Sequence, residues 1–218
     1  MPPTIEEVRS AVDTFQACLP SKVDAASFTL KSKNPFKAMV LREGLIHRVT
    51  WLAEGAASEF AAKRWIPAAV LTRAIAEPVA VLHSLCLNVE KGLQSRDDKE
   101  LTEFLRRMMV GSRVDPQFPQ TINVLTLVDK VDADFPGFRQ SYDQLSEYAH
   151  PNWCGVLGAF SEPDRERHVV TSNPVEATHN TAVLMAYLVV AQHIYNRSDA
   201  PIVALSKAFD EGVITYPE

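Results

Sequence analysis

The chain is poor in the residues that build tight turns and cross-links. Eight glycines in 218 residues leave little material for a sheet-rich fold, because hairpin turns draw on glycine for positive-φ positions. Its three cysteines, Cys18, Cys86 and Cys154, are odd in number and none sits in a CxxC pair. That argues against a disulfide framework and for a reducing, cytoplasmic setting. Positive charge is not in excess: 22 Lys and Arg face 27 Asp and Glu, a net −5. No overall basic footprint for nucleic acid exists, which leaves only a local patch to consider. Long apolar runs are also missing. The most apolar segment, TAVLMAYLVVAQHIY, meets Gln192 and His193 before it spans a bilayer, so it reads as a buried helix and no membrane partner is expected. The opening MPPTIEEVRS carries acids where a signal peptide carries bases. The sequon Asn196-Arg-Ser198 therefore has no glycosylation meaning. No phosphate loop, dinucleotide fingerprint or G-x-S-x-G elbow is found, and no motif implies a cofactor.

What is present is helical periodicity. Hydrophobic content of 46% and charged content of 22% are ordinary for a globular chain, which is long enough for a sizeable core. Thr4 with Glu6 and Glu7 opens a capped helix, followed by a polar connection to residue 34. Apolar spacing predicts long helices over Pro35–Ala62 and Trp65–Leu93, the second kinked at Pro78, then shorter ones over Lys99–Val110 and Thr121–Phe135. Pro136 is expected to open the helix that ends at SEYAH. After Pro151, VLGAF and HVVTS flank SEPDR as a predicted β-hairpin. A last long helix starts near Pro174 and ends about Tyr195, with a separate terminal piece around Val203–Phe209. The expected fold is thus an all-α bundle in one domain, 1–218. Its parts are an N-terminal helix and connection (1–34), a bundle core (35–150), a small hairpin insertion (151–173) and C-terminal helices (174–218). Exposed hydrophobics on the long helices are compatible with a homodimer.

Two polar constellations stand out. In PGFRQSYDQLSEYAHPNW, the stripe Phe138, Tyr142, Leu145 and Ala149 faces the core. Ser146 and His150 follow Tyr142 at steps of four, along a neighbouring ridge. Pro151 disfavours helical geometry at His150 and so places the imidazole at the helix end. One reading makes His150 a general acid/base or ligand aligned with two hydroxyls. The other makes it a C-terminal cap with Trp153 packed over the turn. The second constellation is Arg73 and Glu77, four apart on an otherwise apolar helix. Burying either charge alone is costly, so they satisfy each other or another polar group. Together the expectation is an internal cluster of Arg73, Glu77, Tyr142, Ser146 and His150, with His150 directed at the second long helix and away from water.

LTRAIAEPVAVLHSL followed far downstream by YDQLSEYAHPN resembles an uncharacterised bacterial all-helical family, a domain of unknown function. Its members pair an Arg-x-x-x-Glu helix with a later Ser-x-x-x-His-Pro element. Arg73 and Glu77 match the first element; Ser146, His150 and Pro151 match the second, and the likeness covers roughly residues 38–155. The resemblance implies an all-α bundle and no established activity. Some relatives are likened to the HEPN class of helical nucleic-acid-processing proteins, which cleave RNA without metal through an Arg-x(4–6)-His motif. The chain contains Arg42-Glu-Gly-Leu-Ile-His47. With 13 arginines and six histidines, chance alone supplies roughly one such match.

Three readings follow. The first is a structural or binding protein built around the internal cluster. The second is a HEPN-like, metal-independent ribonuclease of toxin or phage-defence type, with RNA as partner and His150 or His47 at the phosphate. The third is a di-iron-like bundle using Glu147-x-x-His150, Glu176-x-x-His179, Glu43 and Glu77. Asp115, Asp129, Asp132 and Asp134 lack a calcium-loop spacing. Arg106-Arg107 and Arg165–His168 read as surface. Cys154 lies close to His150, but nothing marks it as an activated nucleophile.

Overall fold

Thr4 accepts a hydrogen bond from the Glu7 N–H, and the Glu7 carboxylate accepts one from the Thr4 N–H. This reciprocal capping box starts α1 (Ile5–Cys18). The computed structural model describes residues 1–172 and 181–215. After a single 3-10 turn at Ala25–Ser27, Pro35 in the first turn opens α2 (Asn34–Ala61). A tight corner with Lys63 at φ 56° leads into α3 (Trp65–Ser95), which runs unbroken through Pro78. Then follow α4 (Lys99–Val110), α5 (Val124–Asp134) and α6 (Phe138–Ala149). Past the Pro151 break come a short turn of helix α7 (Leu157–Phe160), strands β1 (Ser161–Asp164) and β2 (Val169–Ser172), and α8 (Thr181–Asp210). The all-α bundle with a two-stranded antiparallel insertion is the observed architecture.

α3 is the axle. It packs against α2, α8, α5, α6 and α4, and α2 packs on α8 and α1. Ile75, Leu82 and Leu85 of α3 meet Ile46 and Val49 of α2 and Leu184, Leu188 and Ile194 of α8 in one continuous core. Ala38, Ala53, Ala56 and Ala57 of α2, with Ala69, Ala76 and Ala80 of α3, are buried without bulk, which lets these axes approach closely. α3 is also the one described helix long and apolar enough to cross a membrane; two thirds of that stretch is buried inside the bundle. Burial by neighbouring helices explains its apolar character.

Four details depart from the periodicity. The predicted first strand VLGAF is instead the turn of helix α7, and the strand is SEPD. The reason is packing: Gly158 lies so close to Trp153 that a Cβ would sit 3.0 Å from the indole nitrogen. The fifth helix begins at Val124, not Thr121, because the Asn123 side chain accepts from the Leu125 N–H and caps it there. The sixth opens after Gly137 at φ 93°, not at Pro136. The C-terminal piece is no separate element: α8 continues through Pro201 to Asp210. The expected start at Pro174 lies outside the described residues.

A buried lock joins α2 to α8 just ahead of Pro201. The Arg42 Nε donates to Ser198 Oγ at 2.8 Å, and its Nη2 donates to the Tyr195 carbonyl at 3.0 Å. The same guanidinium pairs with Glu43, whose other oxygen accepts from the Tyr195 hydroxyl at 2.8 Å. The guanidinium also lies over the Tyr195 ring, and Arg42 and Glu43 are both buried. Removing one partner strands a buried charge, so Arg42→Ala is expected to cost about 3–5 kcal/mol in urea unfolding. The double replacement Arg42→Met, Glu43→Leu should recover most of that loss.

Candidate functional site

Arg73 and Glu77 sit one turn apart on α3, and Tyr142 and Ser146 one turn apart on α6. Because α6 packs along α3, the two i, i+4 pairs face each other. Arg73 Nε donates to Ser146 Oγ at 2.9 Å, Nη2 donates to the Tyr142 hydroxyl, and Nη1 lies 3.3 Å from Glu77 Oε1. Tyr142 in turn donates to Glu77 at 3.3 Å, while Ser146 donates to the Tyr142 carbonyl at 2.8 Å. A guanidinium carries five N–H groups, and these contacts engage three of Arg73's among the described residues. The side chains of Arg73 and Glu77 are 28% and 34% exposed, which corrects the expectation of an internal cluster. The cluster is the wall of an open cleft.

That cleft has a volume of about 440 Å³ and is lined by all five expected residues. His150 reaches it from the mouth. Its backbone turns extended at φ −95°, ψ 147°, ending α6, and the side chain is exposed. The imidazole makes no hydrogen bond or ion pair among the described residues. It therefore does not point away from water into α3, as the helical ridge predicted, because Pro151 diverts the chain at that residue. Nor does Trp153 cover it; the indole is exposed and lies against Gly158.

Four further polar residues line the cleft without having been singled out in the sequence: Arg113, Asn123, Arg139 and the acidic Asp143. Arg139 is held by Asp143 and Asp129. Arg113 is exposed and has no ion-pair or hydrogen-bond partner among the described residues. Asn123 brings the N-terminus of α5 to the wall, with Val124 and Leu125 as its apolar part. These residues escaped notice because Arg113 sits in a loop with no periodicity. The Ser112–Gln120 bridge, the Arg107 donations to the Gln120 and Thr121 carbonyls, and the Ser112 hydroxyl accepting from the Val114 and Asp115 N–H groups fix that loop beside the cleft.

Behind the cleft, Tyr187 of α8 packs its ring 4.8 Å from Phe138. Its hydroxyl is buried without a hydrogen-bond partner among the described residues. Burial pushes this phenol far above its ordinary range, with Tyr142 adding to the rise and Arg73 opposing it. Burial likewise raises Tyr142, opposed by Arg73 and reinforced by Glu77.

The remaining sequence candidates fall elsewhere. Arg42 is consumed by the buried lock, and His47 bonds the Pro20 carbonyl at 3.2 Å, so both motif residues are engaged by other parts of the chain. Glu43 and Glu77 belong to separate arginine pairs, and Glu147 accepts from Asn152. Glu176 and His179 lie outside the described residues. Among the described residues no cluster of three His, Cys, Asp or Glu is placed to hold a metal. Asp132 accepts from the Gly137 and Arg139 N–H groups, and Asp134 pairs with buried His83 at 2.8 Å. Arg106 pairs with Glu103, and Arg167 lies 3.8 Å from Asp164. Cys154 is a free, half-buried thiol. No family model, curated protein or solved structure matches the chain.

The tyrosines give a pH signature. Tyr195 is pushed up to about 12 by burial and by its bond to Glu43. Between the ordinary phenol value near 10 and this raised one, the unfolded chain has lost protons that the folded chain keeps. Stability contributed by Tyr195 is therefore complete below about pH 10 and falls between about 10 and 12. Urea midpoints measured across that window should decline, and Tyr195→Phe should flatten the slope.

Proposed function

We propose that the protein is a ligand-binding helical bundle whose α3–α6 cleft takes a small oxyanion such as a phosphate or carboxylate group. The supporting observation is that Arg73 and Arg113, the latter without an ion-pair or hydrogen-bond partner among the described residues, line one cleft. The N-terminal end of α5 adds its partial positive charge to the same wall. Glu77, Tyr142 and Ser146 hold the Arg73 fork rigid, which keeps the ordering cost of binding low. The free thiols support a cytosolic location.

Inorganic phosphate should raise the melting temperature and bind measurably in calorimetry. A charge-assisted hydrogen bond contributes about 1.5–3 kcal/mol, so Arg113→Ala should weaken binding by roughly ten- to hundred-fold. Because Arg113 is exposed and unpaired, the variant should unfold at the wild-type urea concentration. Phosphate that leaves the melting temperature unchanged at any concentration rules the reading out.

A second reading is favoured by His150, exposed at the cleft and without a hydrogen-bond or ion-pair partner among the described residues. There the bundle would be a metal-independent ribonuclease. The imidazole takes the proton from a ribose 2′-hydroxyl, that oxygen attacks the adjacent phosphorus to form a 2′,3′-cyclic phosphate, and the 5′-oxygen leaves with a proton taken from water while arginines stabilise the charge on the pentavalent phosphorus. Total RNA incubated in chelator with wild type should then be degraded, and with His150→Ala left intact. Equal RNA integrity in the two samples removes this reading and leaves the anion site standing.

A further inference from the structure

α4 and α5 each pack on α3 but not closely on one another, and the space left between them is a second cleft. It measures about 430 Å³, close to the 440 Å³ of the α3–α6 cleft, and falls within the range of small-molecule sites. The two clefts share α5. At its start, Asn123, Val124 and Leu125 line the first, whereas Thr126, Leu127 and Lys130 line the second.

The second cleft combines an apolar part with positive charge. Phe104 and Leu127, both buried, and the half-buried Ile122 supply the apolar part. Lys99, Glu103 and Arg107 follow one another at steps of four along α4 and so share a ridge, and Lys130 comes from α5. The carboxylates in the lining are engaged by cations outside it. Glu100 accepts from Lys91 Nζ at 2.6 and 2.7 Å, and Glu103 holds Arg106 at 2.7 and 2.8 Å.

The lining cations are not matched in that way. Arg107 donates to the Gln120 and Thr121 carbonyls at 2.8 and 3.2 Å. These acceptors are neutral, so they fix the guanidinium without pairing its charge. Lys130 is exposed and has no hydrogen-bond or ion-pair partner among the described residues. Lys99 stands 3.9 Å from the exposed Asp97, a distance at which a surface pair contributes little. In the α3–α6 cleft, by contrast, Arg73 and Arg139 each pair with a carboxylate of the same lining.

We propose that the α4–α5 groove is a second ligand site, which takes an organic anion with a hydrocarbon body. Its carboxylate sits among Lys99, Arg107 and Lys130, and its chain lies along Phe104, Ile122 and Leu127. Charge complementarity selects the head group, and burial of hydrocarbon against the three apolar residues selects the body. Arg107 is already held by the two carbonyls, which lowers the ordering cost of binding. The site is independent of the oxyanion cleft and stands whether or not phosphate binds there.

Octanoate titrated into the full chain in a calorimeter should bind at one site per chain. Acetate keeps the charge and octanol keeps the hydrocarbon, and each should bind at least about tenfold more weakly. The double variant Lys99→Glu, Lys130→Glu should weaken octanoate about tenfold or more with the helical circular dichroism unchanged. Lys130 is exposed, and Lys99 opens α4, where the helix dipole favours a carboxylate, so the variant should fold. Arg113→Ala, in the other cleft, should leave octanoate binding as it was. A chain that does not bind octanoate overturns the proposal, as does acetate bound as tightly as octanoate. So does octanoate affinity that survives the double lysine variant, or that is lost with Arg113→Ala alone.

Discussion

An arginine cannot surrender its charge at any pH a protein meets, so each one that enters a helical bundle must be met by fixed acceptors. This constraint is solved twice in the chain with the same residue types. Arg42 with Glu43, Tyr195 and Ser198 ties α2 to α8; Arg73 with Glu77, Tyr142 and Ser146 ties α3 to α6. In both, the guanidinium sits over the tyrosine ring. The difference is enclosure. The first set is sealed, whereas the second opens on a cleft. The sealed set serves as the chain's own reference for a buried arginine lock, and the open set departs from it in its exposure to solvent.

Much of the scaffold was legible because helices announce themselves through spacing. Ile75, Leu82 and Leu85 recur on one side of α3, and Phe138, Tyr142 and Leu145 on one side of α6; this is what a 3.6-residue period against a core requires. The juxtaposition of Arg73 and Glu77 with Tyr142 and Ser146 was readable for a related reason. Charge on an apolar helix needs a partner, and hydroxyls at helical steps on another helix are suitable ones. Boundaries were less legible where a single side chain decides them, as Asn123 does for α5 and the Trp153 indole does for α7.

Arg113, His150 and the buried lock show where one-dimensional reasoning ends. Arg113 reaches the cleft through a loop held by carbonyl contacts from Arg107, a tertiary arrangement without periodic trace. His150 continues the Tyr142–Ser146 ridge in the sequence but leaves it in space, because Pro151 imposes extended backbone one residue too early. Arg42 attracted notice through its spacing to His47, although its actual partner Ser198 lies on the last helix.

The corner between α6 and α7 is bonded more tightly than a connecting loop needs to be. Asn152 donates from its backbone to the His150 carbonyl at 2.8 Å and from its side chain to Glu147 at 2.7 Å, while its side-chain oxygen accepts from Gly155. Gly155 passes so near the His150 carbonyl that a Cβ would lie 2.1 Å from it. These contacts fix the backbone that carries the imidazole, so the place of His150 at the cleft is set by the Asn152 amide and by the room that only a glycine leaves at residue 155.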